Sequence, residues 1–87
     1  MIYFIQEGKF GNVKIGFTEN EPQERLKDLQ TGNSKKLEII TIFQGNKDKE
    51  KELHNRFKKY QKEGEWFEFS EEIKNYILTE LKNSIKV

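Results

Sequence analysis

Glu50 and His54 stand four residues apart in a segment whose apolar residues have helical spacing, so both side chains project from one side of a helix. Leu53 and Phe57 mark the buried face beside them. A carboxylate and an imidazole in this arrangement can hold a divalent cation and move a proton. The same spacing is common in surface pairs that do no chemistry, and both interpretations stay open.

Tyr3, Lys14 and Gly16 fall on two short apolar runs that predict strands, and Arg25 borders the leucine stripe of the helix that follows. If both helices pack on the sheet face that bears Tyr3, Lys14 and Gly16, these groups converge with the carboxylate and the imidazole. Gly16 would then leave room above the sheet for a ligand or a phosphate.

The converging set has a coherent chemistry. A carboxylate can hold one Mg²⁺, an arginine can clamp a phosphate, and a phenol, lysine or imidazole can move a proton. Metal-assisted phosphodiester hydrolysis requires these three roles. Structural interpretations stand beside them: a strand tyrosine is often core, an arginine often extends its stem along neighbouring leucines, and Trp66 and Phe67 suit core anchors better than base-stacking platforms.

The elements that must position these residues follow from apolar periodicity, caps and turn residues. Their order, ββαβα with a short extended piece and a final helix, predicts an α+β domain on a small antiparallel sheet. Strands are predicted at residues 1–6, 13–17 and 37–44, and a short strand or extended turn at 65–69. The first helix is capped by Thr18 or Asn20 and ends near residue 30, and the second covers residues 48–61. Ser70 caps the last helix, whose apolar stripe runs to Ile85.

Composition excludes several kinds of site. The 87 residues suffice for one domain, and they contain no cysteine and one histidine. Disulfides, thiol nucleophiles, iron–sulfur clusters and cysteine-type zinc sites are therefore excluded, and any metal should be a hard cation held mainly by carboxylate and water. The sequence shows no signal-peptide pattern and no apolar run of membrane-spanning length, which predicts a soluble, cytoplasmic protein.

The formal net charge is only +1, but basic residues are concentrated in residues 47–62 and acidic residues follow them in residues 63–72. A basic stretch can contact phosphate backbones even in a neutral protein, because screening confines charge effects to roughly 8–10 Å. A solvated helix face with mixed ion pairs explains the same pattern equally well.

Five sequence blocks, in order and with compatible spacing, resemble the GIY-YIG nuclease superfamily. The most similar branch comprises phage open-reading-frame proteins and relatives of meiotically up-regulated genes, with the patterns K-I-G-x-T, E-x-x-L-H-x-x-F and G-E-W-F. The resemblance spans about residues 1–77. The blocks are Ile2-Tyr3-Phe4-Ile5, Val13-Lys14-Ile15-Gly16-Phe17-Thr18, Arg25-Leu26 with Leu29-Gln30, Glu50 to Phe57, and Gly64-Glu65-Trp66-Phe67.

The resemblance implies three antiparallel strands flanked by helices, and divalent-metal-dependent cleavage of DNA. Tyr3 matches the first-motif tyrosine, which would activate or position the attacking water, and Arg25 matches the arginine that would stabilise the scissile phosphate. Glu50 matches the single metal-binding glutamate, and Gly16 matches the second-motif glycine.

The sequence departs from the superfamily pattern at three places. Lys14 replaces the second-motif tyrosine and would contact phosphate, and Leu29 stands where some members have histidine. The asparagine that often follows the glutamate-bearing helix has no clear equivalent. His54 is then the natural candidate for an acid or base, since it lies one turn from Glu50.

We therefore predict that residues 1–87 form a single GIY-YIG-like domain, a DNA endonuclease that uses one Mg²⁺ or Mn²⁺. A nuclease-like module that only binds DNA, through Lys58, Lys59 and Lys62, is the first alternative. A protein-interaction domain that uses the acidic stretch is the second. The chain has no room for a separate recognition domain, so a homodimer or a partner protein would supply specificity, and no membrane contact is expected.

Overall fold

The computed structural model describes residues 1–84, in which strands and helices alternate much as the apolar periodicity predicts. Ile85, the last position of the predicted apolar stripe, lies outside the described residues. The elements are β1 (Ile2–Glu7), β2 (Val13–Phe17), α1 (Pro22–Thr31), β3 (Leu37–Phe43), α2 (Lys47–Arg56), one 3₁₀ turn (Lys58–Tyr60), β4 (Gln61–Glu63), β5 (Trp66–Phe67) and α3 (Glu71–Ser84).

The strands form one antiparallel sheet in the order β3-β1-β2-β5-β4. The predicted α+β class is confirmed, but the predicted number of three strands is wrong, because the sheet has five. The helix predicted at residues 48–61 ends at Arg56, and the 3₁₀ turn redirects the chain into β4. Tyr60 continues the apolar spacing of α2 in the sequence, which is why periodicity alone extends the helix too far.

The β4–β5 hairpin depends on Gly64, whose φ of 56° lies in the left-handed region that favours glycine. Its second strand joins the sheet through the pairs Val13 with Phe67 and Lys14 with Trp66. This short hairpin brings the residues of its own turn, between β4 and β5, against β2.

Two helical layers cover the two faces of the sheet. Ile2 and Phe4 pack with Leu53 and Phe57 of α2 and with residues of α3, whereas Tyr3 belongs to the core on the other face. That other core also holds Ile5 and Leu37, packed against Leu26, Leu29, Ile39 and Trp66. The prediction that both helices pack on the Tyr3 face is therefore wrong, because the apolar stripes of α1 and α2 bury against opposite faces.

Helix ends agree in part with the predicted caps. Ser70 caps α3, since its Oγ accepts a hydrogen bond from the Ile73 amide at 3.3 Å. The predicted caps of α1 are wrong: that helix starts after Glu21 with Pro22 in its first turn, and the Thr18 hydroxyl instead accepts from the Asn20 amide at 3.1 Å. Among residues 1–84, no helix combines the length and the apolar character needed to cross a membrane.

Candidate functional site

An open cavity of about 370 Å³ lies where β1, the start of α1, the first turns of α2 and the turn before β5 meet. Its lining is mainly polar and charged, as expected for a site that receives an ion or a phosphate and not for an apolar ligand pocket. The charged and phenolic groups that line it are those of Tyr3, Glu19, Arg25, Asp28, Lys47, Glu50 and Glu65.

Glu50 contributes a buried carboxylate to this cavity, with only 5% of its side chain exposed. It lies in the first turn of α2, where the positive end of the helix dipole favours an acid. Lys47, three residues earlier, places its Nζ 2.9 Å from Glu50 Oε1 and is itself largely exposed. A buried carboxylate whose partner is a flexible surface lysine can exchange that lysine for a cation.

Tyr3 and Arg25 meet across the cavity from α1 to β1. The Nε of Arg25 donates a hydrogen bond to the Tyr3 hydroxyl at 3.4 Å. Tyr3 is buried while Arg25 is exposed, so the guanidinium keeps donors available to a ligand in the cavity. The predicted convergence of these two residues with Glu50 is thus seen, although α2 approaches from the opposite face of the sheet.

Burial is the main reason that the pKa of Tyr3 is raised above its ordinary value, and the hydrogen bond from Arg25 opposes part of that rise. A raised pKa means that the phenol is neutral at pH 7. Tyr3 therefore offers both a hydrogen-bond donor and an acceptor at the cavity wall, which suits the positioning of a water molecule.

Gly16 lies directly opposite Tyr3 in the β1–β2 ladder. A Cβ added at Gly16 would overlap the Cζ and the hydroxyl oxygen of Tyr3. The space above Gly16 is thus filled by the tyrosine ring, and the prediction that it leaves room for a ligand is wrong. The glycine serves the site indirectly, because it lets the phenol reach the cavity.

Replacing Gly16 with alanine should destabilise the protein by about 1–3 kcal/mol, because the buried Tyr3 ring must move to admit a methyl group. Urea denaturation followed by circular dichroism measures the change. Gly32 is a matched control, since a Cβ there meets nothing within 4 Å and φ is negative. Equal destabilisation of the Gly16→Ala and Gly32→Ala variants would contradict the close approach described here.

His54 is held by the edge of β2. Its Nε2 lies 2.7 Å from the carbonyl oxygen of Ile15, and its ring packs at 5.1 Å from the ring of Phe67. A carbonyl oxygen only accepts, so Nε2 carries the hydrogen in this bond. His54 does not line the cavity, but it lies one helical turn from Glu50, which does.

Lys14, which was predicted to contact phosphate, has a largely buried side chain whose Nζ lies 3.2 Å from Glu65 Oε1 and 5.5 Å from the centre of the Trp66 ring. It lines a neighbouring cavity of about 670 Å³ together with Lys62 and Glu65. Glu65 lines both cavities and so marks the place where they adjoin.

Lys58 and Lys59 lie in the 3₁₀ turn after α2 and do not line either cavity. Lys59 pairs with Glu72 at 3.3 Å, and the neighbouring Lys62 pairs with Glu68 at 3.9 Å. The structure therefore does not bring the predicted basic contacts at Lys58 and Lys59 together with Tyr3, Arg25 and Glu50.

Sequence reasoning missed Lys47 and Glu65 as members of the site. The i, i+3 spacing of Lys47 and Glu50 is a visible signal for an ion pair. Glu65 gave no comparable signal, because its place depends on the pairing of β5 with β2 and on the bond from the Ile15 amide to its carbonyl oxygen at 3.1 Å.

Two lining residues of the cavity, Glu50 and Glu65, fit a divalent cation together with the neighbouring His54. One ligand atom each from Glu50, His54 and Glu65 lie within 4.8 Å of one another. Two carboxylates and an imidazole are ligands that divalent cations commonly take in proteins.

The fold and the site together define a small α/β/α-layered domain with a buried glutamate, a tyrosine–arginine pair and a candidate cation site around one open cavity. The chain belongs to the T5orf172 domain family, which it matches over residues 1–85. The predicted resemblance to phage open-reading-frame domains is confirmed at this level, and the particular branch stays a prediction. No curated protein and no solved structure gives a significant match.

Proposed function

We propose that this protein is a GIY-YIG-type DNA endonuclease that depends on one divalent cation, Mg²⁺ or Mn²⁺. The observation that carries the proposal is the meeting of Tyr3, Arg25 and Glu50 around one open cavity. Membership of the T5orf172 domain family supports a nuclease-like, DNA-binding module. The residues come from three separate elements, so their meeting is a property of the fold and not of local sequence.

Each of the three residues has a role that suits its environment. Glu50 would hold the cation, which would act as a Lewis acid on the scissile phosphate. The exposed guanidinium of Arg25 would bind a phosphate oxygen and stabilise the charge that grows on it during displacement. The neutral phenol of Tyr3 would orient the attacking water, and it is itself fixed by Arg25 and by the space above Gly16.

The predicted proton-transfer role of His54 is restricted by its surroundings. Nε2 is engaged with the carbonyl of Ile15, so only Nδ1 is free to take part in chemistry. The neutral phenol of Tyr3 orients the water in this proposal, and any proton transfer by His54 would use Nδ1.

The adjoining cavity offers a path for the DNA strand that leads to the scissile phosphate. It is lined by Lys14 and Lys62 and by three glutamates, of which Glu65 is shared with the site, so the exposed Lys62 is the cation that a backbone phosphate would meet there. Lysines along such a path bind the backbone without reading bases. In this proposal a second copy or a partner protein supplies sequence specificity.

Cleavage of supercoiled plasmid tests the proposal. With Mg²⁺ or Mn²⁺ the protein should convert the plasmid to nicked and linear forms, and excess chelator should stop the reaction. Absence of cleavage with both ions, under conditions in which the protein is folded and binds the plasmid, would overturn the endonuclease assignment.

A DNA-binding module without turnover is the second candidate, and one observation favours it. Both carboxylates of the site are paired with lysines, Glu50 with Lys47 and Glu65 with Lys14, as in a site that works without an ion. This candidate predicts salt-sensitive DNA binding that survives Glu50→Ala but weakens when Lys58, Lys59 and Lys62 are neutralised. A low-salt binding assay also separates both candidates from a protein-interaction domain, which would not bind DNA.

A further inference from the structure

We infer that Glu50, His54 and Glu65 form one three-residue cation site, and that its imidazole makes it prefer a first-row transition-metal dication over Mg²⁺. The ion's part in cleavage rests on the proposed function, but the ligand set does not. The sequence predicted a hard cation held mainly by carboxylate and water with Glu50 as its single protein ligand. The structure adds a nitrogen and a second carboxylate.

The three ligand atoms have nearly the spacing that an ion imposes. They lie within 4.8 Å of one another, and two ligands on opposite sides of an ion with bonds of about 2.1 Å are about 4.2 Å apart. A small rotation of either glutamate side chain closes the difference. Glu50 and His54 come from successive turns of α2, and Glu65 comes from the turn before β5.

The peptide groups of Ile15 hold two of the three ligands. The carbonyl oxygen of Ile15 accepts a hydrogen bond from His54 Nε2 at 2.7 Å. The amide of Ile15 donates a hydrogen bond to the carbonyl oxygen of Glu65 at 3.1 Å. A histidine that ligates a metal usually donates its other ring N–H to a carbonyl or carboxylate, which fixes the ring and the tautomer. His54 makes such a bond through Nε2, and this would leave Nδ1 as the metal-binding nitrogen in the proposed site.

Two lysines occupy the carboxylates when no ion is bound. Lys47 Nζ lies 2.9 Å from Glu50, and Lys14 Nζ lies 3.2 Å from Glu65. They neutralise carboxylates that would otherwise repel each other, and an incoming dication must replace them. The two lysines balance the charge of the two carboxylates, and a dication would supply the same charge in their place.

The imidazole determines which ion is preferred. Mg²⁺ favours oxygen ligands and keeps several waters, whereas imidazole suits transition-metal dications. With two carboxylates and one nitrogen, the site should bind Mn²⁺ at least about tenfold more tightly than Mg²⁺. Mn²⁺ is the suitable probe because it is paramagnetic.

The test is a titration of the whole protein with Mn²⁺ alone, followed by electron paramagnetic resonance in the absence of DNA. Bound Mn²⁺ should show spin-echo modulation from an imidazole nitrogen, and Mg²⁺ should compete only at tenfold or greater excess. Absence of nitrogen coupling, or equal affinity for the two ions, overturns the inference. This readout needs no variant and does not depend on nuclease activity.

Variants then test each ligand. His54→Gln keeps an amide donor near Ile15 and should remove the nitrogen modulation, and Glu65→Gln should weaken Mn²⁺ binding at least tenfold. Glu63→Gln, in the same hairpin but outside the ligand set, is the matched control and should bind as the parent protein does. Unchanged binding in Glu65→Gln, with circular dichroism showing a folded protein, would contradict the three-residue site.

The outcomes separate this inference from the proposed function. Mn²⁺ bound through the imidazole without plasmid cleavage supports the cation site and contradicts the endonuclease. Cleavage with Mg²⁺ but no nitrogen coupling supports the endonuclease and contradicts the three-residue ligand set.

Discussion

Replacing Glu50 with glutamine should lower the rate of plasmid cleavage by about a thousandfold while leaving the protein folded. In the proposed mechanism the ion would supply several kcal/mol of charge stabilisation at the scissile phosphate, and about 1.4 kcal/mol corresponds to a tenfold change in rate. Glutamine keeps the size of the side chain but removes the charge that holds the ion. The measurement is the initial rate of nicking at saturating Mn²⁺ or Mg²⁺.

The stability of the Glu50→Gln variant should change by no more than about 1 kcal/mol, because the ion pair that it breaks is made with a lysine that is mostly exposed. Glu52 provides the matched control, since it is exposed on the same helix and pairs with Lys49 at 3.4 Å outside the cavity. Glu52→Gln should cleave at the parent rate. Undiminished cleavage by folded Glu50→Gln would remove Glu50 from the chemistry.

The second large effect is expected at Arg25. Replacement with lysine should lower the single-turnover cleavage rate by about 10²–10³-fold, because the planar guanidinium can bind a phosphate oxygen while its Nε holds Tyr3, and an ammonium group cannot do both. DNA binding should weaken much less than the rate, since lysine keeps the positive charge. Rapid-mixing cleavage assays together with binding curves separate the two quantities.

Arg56 is the matched control for this substitution because it is the other arginine of the chain and is exposed on α2. Its guanidinium lies over the rings of Phe57 and Tyr76 and does not line the cavity. Arg56→Lys should therefore cleave at nearly the parent rate. An equal loss in both arginine variants would indicate a general effect of arginine on DNA binding and would contradict a specific role for Arg25.

The local elements of the fold could be predicted because they depend on short-range chemistry. The apolar run of β1, the alternation in β2 and the capping hydroxyl of Ser70 act over a few residues and are visible in the sequence. The face on which each helix packs could not be predicted in this way. Both faces of β1 are apolar, and the leucines of α1 pack on one face while the apolar residues of α2 pack on the other. Which helix covers which face is a property of the whole domain.

The residues of the site also fall into two groups, those that the sequence could predict and those that it could not. Tyr3, Arg25 and Glu50 were predicted to converge, and the cavity brings them together. The charge partners Lys47 and Glu65 were not identified, and Glu65 depends on the β4–β5 hairpin that periodicity assigned partly to a helix. The five-stranded sheet and the second carboxylate were missed because β4 has only three residues and none of them is apolar, and because the alternation in residues 65–69 did not distinguish a short strand from an extended turn.

The single tryptophan of the chain lies beside the candidate cation site. Trp66 directly follows Glu65 in the sequence, and the ammonium of Lys14 lies both over its ring and against the Glu65 carboxylate. A dication that takes Glu65 from Lys14 would therefore change the electric field at the indole. If the inferred cation site binds an ion, the fluorescence of Trp66 would report the exchange of Lys14 for that ion without a label.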